Sequence, residues 1–133
     1  MGSRITRKRA VQGMHRAALQ LRDTDHQGEH VVEAHGEIDL STRSLFADHL
    51  ADLIREGTRR LLIDLSGVKF MDSSGLGVLL KVRRDLGGEG SSLRLVVSAD
   101  LRQIFELTGL DRHFELVDSP VQAEPTRFGE NSV

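Results

Sequence analysis

The chain of 133 residues is long enough for one ordinary domain and too short for two, and its 38% hydrophobic and 29% charged residues are typical of a globular protein. It contains no cysteine, which excludes disulfides, thiolate nucleophiles and cysteine metal sites and favours a reducing, cytoplasmic compartment. The lack of tryptophan, tyrosine and any apolar run near the roughly 20 residues of a membrane span argues against base-stacking surfaces and membrane insertion.

The net charge of −2 is unevenly distributed along the chain. The first 20 residues hold five basic and no acidic side chains, whereas the rest holds 13 basic and 20 acidic ones, a net charge of −7. An acidic folded part is not expected to bind nucleic acid. We interpret residues 1–15 as a basic N-terminal arm, which is either a solvated terminus or a contact for nucleic acid or a partner.

Beyond this arm, strand and helix patterns alternate. The predicted elements are strands at 16–22 and 30–36, a turn at 36–39, a helix from Ser41 or Thr42 to Gly57, a strand at 61–65, a loop at 66–72, a helix at 74–86, a strand at 93–97, a helix from Ser98 to Gly109 and a strand at 114–117. This order predicts a single α/β domain at 16–118, with helices packed on a mixed, mostly parallel sheet. Residues 119–133 are predicted to form a polar C-terminal tail.

The candidate functional residues are concentrated at residues 68–77. This segment follows a buried strand at its carboxyl end, which is where open α/β sheets usually carry their sites. The segment matches no nucleophile elbow, P-loop or dinucleotide fingerprint. Asp72, Ser73 or Ser74 can cap the following helix, with glycines that let this helix approach the sheet. Alternatively, the two hydroxyls form a phosphoacceptor, because the positive end of a helix tolerates a phosphate.

The histidines and paired acids are interpreted as structural rather than catalytic. His26, His30 and His35 fall on a turn and a strand, where their spacing puts the side chains on different faces. The other three histidines, His15, His49 and His113, are isolated, so we expect surface histidines and no metal site. Asp23 and Asp25 flank a turn and are interpreted as turn formers.

Residues 62–65, Val68 and residues 70–79 resemble the bacterial anti-sigma factor antagonists of the STAS superfamily, above all in Asp-Ser-Ser-Gly-Leu-Gly at 72–77. Gly-Glu-Ile-Asp at 36–39 is similar to that family's turn before its first helix, and Leu-Thr-Gly-Leu at 107–110, followed by Phe114, is similar to its third helix and last strand. The resemblance covers about residues 16–118 and implies the STAS fold.

The resemblance implies a partner switch in stress-related transcription control, without enzymatic activity, catalytic residues or cofactor. The unphosphorylated antagonist binds an anti-sigma factor, which is a serine kinase with a GHKL-type ATP-binding fold, and thereby releases the sigma factor. Phosphorylation on the serine that matches Ser73 ends this binding, and a metal-dependent serine phosphatase restores it. The implied partner-binding residues are Asp39, Thr42, Asp72, Ser73, Ser74, Gly75, Leu76 and Gly77.

Three features depart from the family pattern. The basic arm is longer than needed, Pro125 interrupts the expected final helix at 121–128, and Lys69, Arg83 and Arg84 are expected to influence which kinase is selected. One alternative function is a STAS-domain scaffold in a stress-sensing or transport-linked assembly without sigma-factor control. Another is a small hydrolase using either serine, although no motif supplies a base. Whether the domain forms a homodimer stays open.

Overall fold

Strands and helices alternate in the computed structural model, which describes residues 18–118. The elements are β1 (Leu19–His26), β2 (Glu29–Ile38), α1 (Arg43–Arg55), β3 (Arg60–Met71), α2 (Ser73–Leu86), β4 (Ser92–Val96), α3 (Ala99–Thr108), a 3-10 turn (Leu110–Arg112) and β5 (Glu115–Val117). The arm predicted at 1–15 and the tail predicted at 119–133, with its interrupted helix, lie outside the described residues.

The five strands form one sheet in the order β1-β2-β3-β4-β5. β1 and β2 are an antiparallel hairpin whose turn residues Gln27 and Gly28 have φ of 53° and 87°, as a tight two-residue hairpin turn requires. The strands from β2 to β5 are parallel neighbours. The predicted α/β class and the mixed, mostly parallel sheet are therefore confirmed.

The main hydrophobic core lies between the three helices and one face of the sheet. Phe46 of α1, Leu79 of α2 and Phe105 of α3 are fully buried in the same cluster as alternate residues of the strands. The opposite face of the sheet carries a smaller cluster around Leu62 and Val96. Since α1 directly follows β2 and α2 directly follows β3, both helices begin at the edge where these parallel strands end.

The loop predicted at 66–72 is wrong, because β3 continues to Met71. The Asp64 carboxylate accepts hydrogen bonds from the Ser66 N–H at 2.9 Å and the Ser66 hydroxyl at 2.6 Å, and the register with β2 shifts nearby. This local turn hides the strand pattern in the sequence, and the strand resumes after it. The long β3 brings residue 72 to the end of the sheet.

The strand ends predicted at residues 22 and 36 are also wrong, and so is the turn at 36–39. β1 runs on to His26 because its polar end pairs with β2 in the hairpin. β2 runs on to Ile38 because Glu37 and Ile38 pair with Phe70 and Met71 of the extended β3. The last residues of both strands are therefore held by pairing that their own local pattern does not indicate.

A buried polar cluster connects β1, β2 and α1. Asp23 is only 1% exposed, and one of its oxygens lies 2.8 Å from His49 Nε2 and 3.2 Å from His30 Nε2. Burial raises the pKa of Asp23, but hydrogen bonds and charge from both histidines outweigh it and lower this pKa from 3.8 to about 2. The prediction of surface histidines is wrong for His49, which is buried, and that of a turn-forming Asp23 is wrong as well.

Residues 18–118 contain no group of three or more histidine, aspartate or glutamate side chains that could hold a metal ion. None of their helices is both long and apolar enough to cross a membrane.

Candidate functional site

The site is built where β2 and β3 end side by side. Ile38 and Met71 are the last paired residues of the two strands, and the Asp72 N–H donates a hydrogen bond of 3.2 Å to the Ile38 carbonyl. Asp39 follows Ile38 directly, so the two acidic residues leave the sheet at the same edge. Residues far apart in the sequence are thereby brought together by the parallel pairing.

The loop from Asp39 to Thr42 is held by its own side chains. The Asp39 carboxylate accepts hydrogen bonds from the Ser41 N–H (2.9 Å), the Ser41 hydroxyl (2.8 Å) and the Thr42 N–H (3.2 Å). The Thr42 hydroxyl accepts from the Asp39 N–H at 3.0 Å and donates to the Glu37 carbonyl at 2.9 Å. Thr42 occupies the N-cap position of α1 without a capping side-chain bond, and it is buried. Its hydroxyl therefore serves the shape of the loop.

Asp72 caps α2, as one of the predicted alternatives required. Its carboxylate accepts hydrogen bonds from the Ser74 N–H at 2.9 Å and from the Ser74 hydroxyl at 2.6 Å, the geometry of an N-cap. Its carbonyl accepts from the Gly75 N–H at 3.0 Å. The first turn of the helix is therefore fixed around Asp72 and Ser74.

The two neighbouring serines differ in their surroundings. Ser74 is half-buried and its hydroxyl is committed to Asp72. Ser73 is exposed, and within residues 18–118 its hydroxyl makes no hydrogen bond. Ser73 is thus the hydroxyl at this helix start that a second protein can reach without breaking a bond inside the described part of the domain.

The two carboxylates make the site electronegative. The hydrogen bond from the Ser74 hydroxyl lowers the pKa of Asp72 below its usual range, more than burial raises it. The hydrogen bond from the Ser41 hydroxyl likewise lowers the pKa of Asp39, although the nearby charge of Asp72 opposes this. Both groups are ionised at neutral pH, and each lies within the electrostatic reach of the other.

The two glycines of the motif have different environments. A Cβ atom added to Gly75 would lie 2.8 Å from Ile38 Cγ2 and from Met71 Cγ, so this glycine does let α2 approach the sheet. A Cβ atom on Gly77 would meet nothing within 4 Å. The interpretation that both glycines serve close packing is therefore wrong for Gly77. Leu76, between them, is half-buried and packs against the core.

Two exposed apolar side chains lie close to site residues along the chain, and the sequence pattern does not assign them to the site. Leu40, inside the fixed Asp39–Thr42 loop, is 76% exposed, and Phe70, near the end of β3, is 51% exposed. The sequence feature that could have identified Leu40 is a single apolar residue within a polar loop. Phe70 was missed because its segment was predicted to be a loop, where no alternation of faces applies.

The three cations expected to influence kinase selection are exposed. Lys69 lies near the end of β3, while Arg83 and Arg84 lie in the last turn of α2. Lys69 is close to Ser73 in the sequence, whereas Arg83 and Arg84 lie toward the far end of the helix. These positions leave all three side chains accessible to a second protein.

A model of the STAS domain matches residues 21–123, which is most of the chain. This chain belongs to the STAS domain family. The match covers β1 from Leu21 onward and every later strand and helix described above, and it includes the entire Asp39–Gly77 site. The expected family and fold are confirmed.

Among known STAS proteins, the similarity is to anti-sigma factor antagonists. The chain is 32% identical over 92 residues to the anti-sigma-F factor antagonist RsfB of Mycobacterium tuberculosis, covering 69% of this chain and 75% of that protein. It is 30% identical over 93 residues to the anti-sigma-B factor antagonist of Staphylococcus aureus, covering 69% and 86%. The crystal structure of an anti-sigma factor antagonist from Mycobacterium paratuberculosis superposes with a TM-score of 0.75 at 31% identity, covering 81% and 92%.

Proposed function

We propose that this STAS domain is an anti-sigma factor antagonist whose binding is switched off by phosphorylation of Ser73. In the unphosphorylated form it binds an anti-sigma factor serine kinase of the GHKL-type fold and so releases the sigma factor. A metal-dependent serine phosphatase removes the phosphate and restores binding. The proposal places these events in the cytoplasm, a reducing compartment in which proteins rarely rely on disulfides. This chain has no cysteine and therefore forms none.

The observation that carries the proposal is the contrast between Ser73 and Ser74. Ser73 is exposed and its hydroxyl is unbonded in residues 18–118, whereas the Ser74 hydroxyl is bonded to Asp72 at 2.6 Å. A kinase cleft can therefore take the Ser73 hydroxyl directly. The similarity to named anti-sigma factor antagonists supports the choice of partner class.

The chemistry at Ser73 is a phosphoryl transfer for which the kinase supplies the base, metal and ATP. The Ser73 oxygen forms a bond to the γ-phosphorus, the bond between that phosphorus and the β–γ bridging oxygen breaks, and ADP leaves. The hydroxyl proton passes to the kinase. No group of this domain takes part beyond the accepting oxygen, so the domain needs no cofactor of its own.

The effect of the phosphate follows from the charges already present. Phosphorylation adds nearly two negative charges beside Asp72, with Asp39 close by. The positive end of the α2 helix dipole tolerates this charge inside the domain. A partner that accommodates two carboxylates must now face a third anionic group, and like-charge contacts of this kind cost several kcal/mol at an interface. Binding is lost without a rearrangement of the fold.

The hydrolase alternative has no support from these contacts. Ser73 has no base within hydrogen-bond distance in the described part of the chain, and the Ser74 hydroxyl is used to fix the helix cap. The proposed partner contacts remain Asp39, Thr42, Asp72, Ser73, Ser74, Gly75, Leu76 and Gly77. Among these, Thr42, Ser74 and Gly75 act by shaping the surface that the others present.

The test uses purified serine-kinase anti-sigma factors encoded in the source genome, each incubated with the chain and ATP. We expect one kinase to add a single phosphate, which mass spectrometry locates at Ser73. Ser73→Ala should stay bound to that kinase in the presence of ATP, and Ser73→Asp should bind at least 100-fold more weakly. Ser74→Ala is the matched control, since it should still be phosphorylated at Ser73.

Phosphate found only at other residues would remove the site assignment. Equal kinase affinity of the wild type and Ser73→Asp would remove the charge mechanism. If none of the kinases bound the unmodified chain, the scaffold function would replace the switch.

A further inference from the structure

Gly77 has no requirement for glycine within the described part of this domain. It is exposed in the interior of α2, and a Cβ atom there would meet nothing within 4 Å. Its φ lies outside the left-handed range that favours glycine, as its helical position requires. Glycine inside a helix is less favourable than alanine, so the domain would be more stable with alanine at this position.

Gly75 provides the contrast within the same turn. A Cβ atom on Gly75 would meet Ile38 and Met71 at 2.8 Å, so its glycine is explained by packing of the helix on the sheet. No such contact explains Gly77. The contacts within residues 18–118 therefore explain Gly75 and leave the glycine at position 77 without a structural reason.

The helical spacing puts Gly77 on the same exposed face as the proposed phosphoacceptor. Gly77 follows Ser73 by four residues and Leu80 follows Gly77 by three, the spacings at which helix residues are neighbours. Leu80 is 37% exposed. The surface therefore presents a hydroxyl, then a gap of bare backbone, then an apolar side chain along two turns of α2.

We infer that Gly77 provides clearance for the partner: an apolar side chain of the anti-sigma factor kinase occupies the gap that the missing side chain leaves between Ser73 and Leu80. The inference rests on the proposed function and extends its contact surface along α2, away from the acidic pair. An apolar occupant fits because Leu80 and the half-buried Leu76 border the gap. Seating this side chain holds the Ser73 hydroxyl at a constant distance from the kinase cleft.

This role separates stability from binding. Gly77→Ala should raise the melting midpoint of the free domain, by roughly 2–5 °C, because alanine is the better helix former. The same substitution should weaken kinase binding, because the new methyl group takes the space of the partner. A residue with a purely structural role would not change the two quantities in opposite directions.

The experiment compares Gly77→Ala and Gly77→Gln with the control Ala51→Gln. Ala51 is an exposed residue of α1, two turns beyond the start of that helix, so its change adds the same side chain on a helix surface outside the gap. Affinity for the kinase that phosphorylates the wild type is measured by titration calorimetry with a non-hydrolysable ATP analogue, and stability by thermal denaturation.

We expect at least tenfold weaker binding for Gly77→Gln, a smaller loss for Gly77→Ala, and affinity within twofold of wild type for Ala51→Gln. Wild-type affinity in both Gly77 variants, alongside normal binding of the wild type, would overturn this inference and leave the proposed function standing. If the wild type itself bound no such kinase, the proposed function would fail, and the clearance role would fail with it.

Discussion

Two groups of carboxylates in this domain use the same chemistry in opposite surroundings. Asp23 is buried between β1, β2 and α1, where two histidines lie against one of its oxygens. Asp39 and Asp72 lie at the edge of the sheet, each accepting hydrogen bonds from a serine two residues later. The difference shows that a lowered carboxylate pKa alone does not identify a functional site. Because Asp23 is buried, its interactions contribute to the stability of the fold, whereas Asp39 and Asp72 remain accessible to a partner.

Removing the buried carboxylate should have the largest effect on stability. Asp23→Ala removes the buried carboxylate that is hydrogen-bonded to His49 and lies against the half-buried His30, and we expect a loss of about 3 kcal/mol in the free energy of unfolding. Urea denaturation at pH 7 measures this loss. Asp25→Ala, at an exposed position of the same strand, is the control and should change stability by less than about 0.5 kcal/mol. A similar loss in both variants would contradict the assigned role of the cluster.

Lowering the pH should remove part of the stability that the Asp23 carboxylate contributes. The pKa of Asp23 is lowered from 3.8 to about 2 in the folded domain, so its stabilisation is complete above the unfolded value and is lost as the pH falls from about 4 to 2. The shift corresponds to about 2 kcal/mol. The stability difference between the wild type and Asp23→Asn, measured by urea denaturation from pH 6 to pH 2, should narrow by that amount. A constant difference over this range would argue against the shift.

At the exposed edge, a change of charge should affect binding more than folding. Asp72→Asn keeps a side-chain oxygen that can cap α2, so the melting midpoint should fall by only a few degrees. The charge facing a phosphate on Ser73 is reduced, so the ratio of kinase affinities between the wild-type serine and Ser73→Asp should shrink about fivefold. Calorimetric titration of both serine forms in each background measures this ratio. An unchanged ratio would mean that Asp72 does not contribute to the charge repulsion.

The smallest effects should distinguish the adjacent serines. Ser74→Ala removes the hydroxyl that is bonded to Asp72 and should cost about 1 kcal/mol of stability. Ser73→Ala removes a hydroxyl without a bond in residues 18–118 and should change stability by less than about 0.5 kcal/mol. Parallel chemical denaturation of both variants makes the comparison. The reverse order would show that Ser73 is held inside the domain and is not free for a kinase.

The comparison also explains which parts could be predicted from the sequence. The helix predicted at 74–86 is observed at Ser73–Leu86, because its apolar stripe and its cap are local signals. The capping of α3 by Ser98, whose hydroxyl accepts from the Leu101 N–H at 3.2 Å, was local as well. The site motif could be found for the same reason, since most of it is one continuous segment.

What could not be predicted depends on contacts between distant residues. Asp23 and His49 are 26 residues apart and meet only because α1 packs over the hairpin. The extension of β3 to Met71 depends on pairing with β2 across a local turn at Ser66. The exposure of Phe70 depends on that extension. A periodic pattern within a single segment holds no information about such pairings.

The unbonded hydroxyl of Ser73 has a consequence for how a signal is stored. A phosphate on this oxygen displaces no hydrogen bond in the described part of the domain, so the modified and unmodified proteins should be equally durable in the cell. The signal is then held as the modified fraction of a constant pool, set by the ratio of kinase to phosphatase activity. Such a pool can be read and reset repeatedly without new protein synthesis.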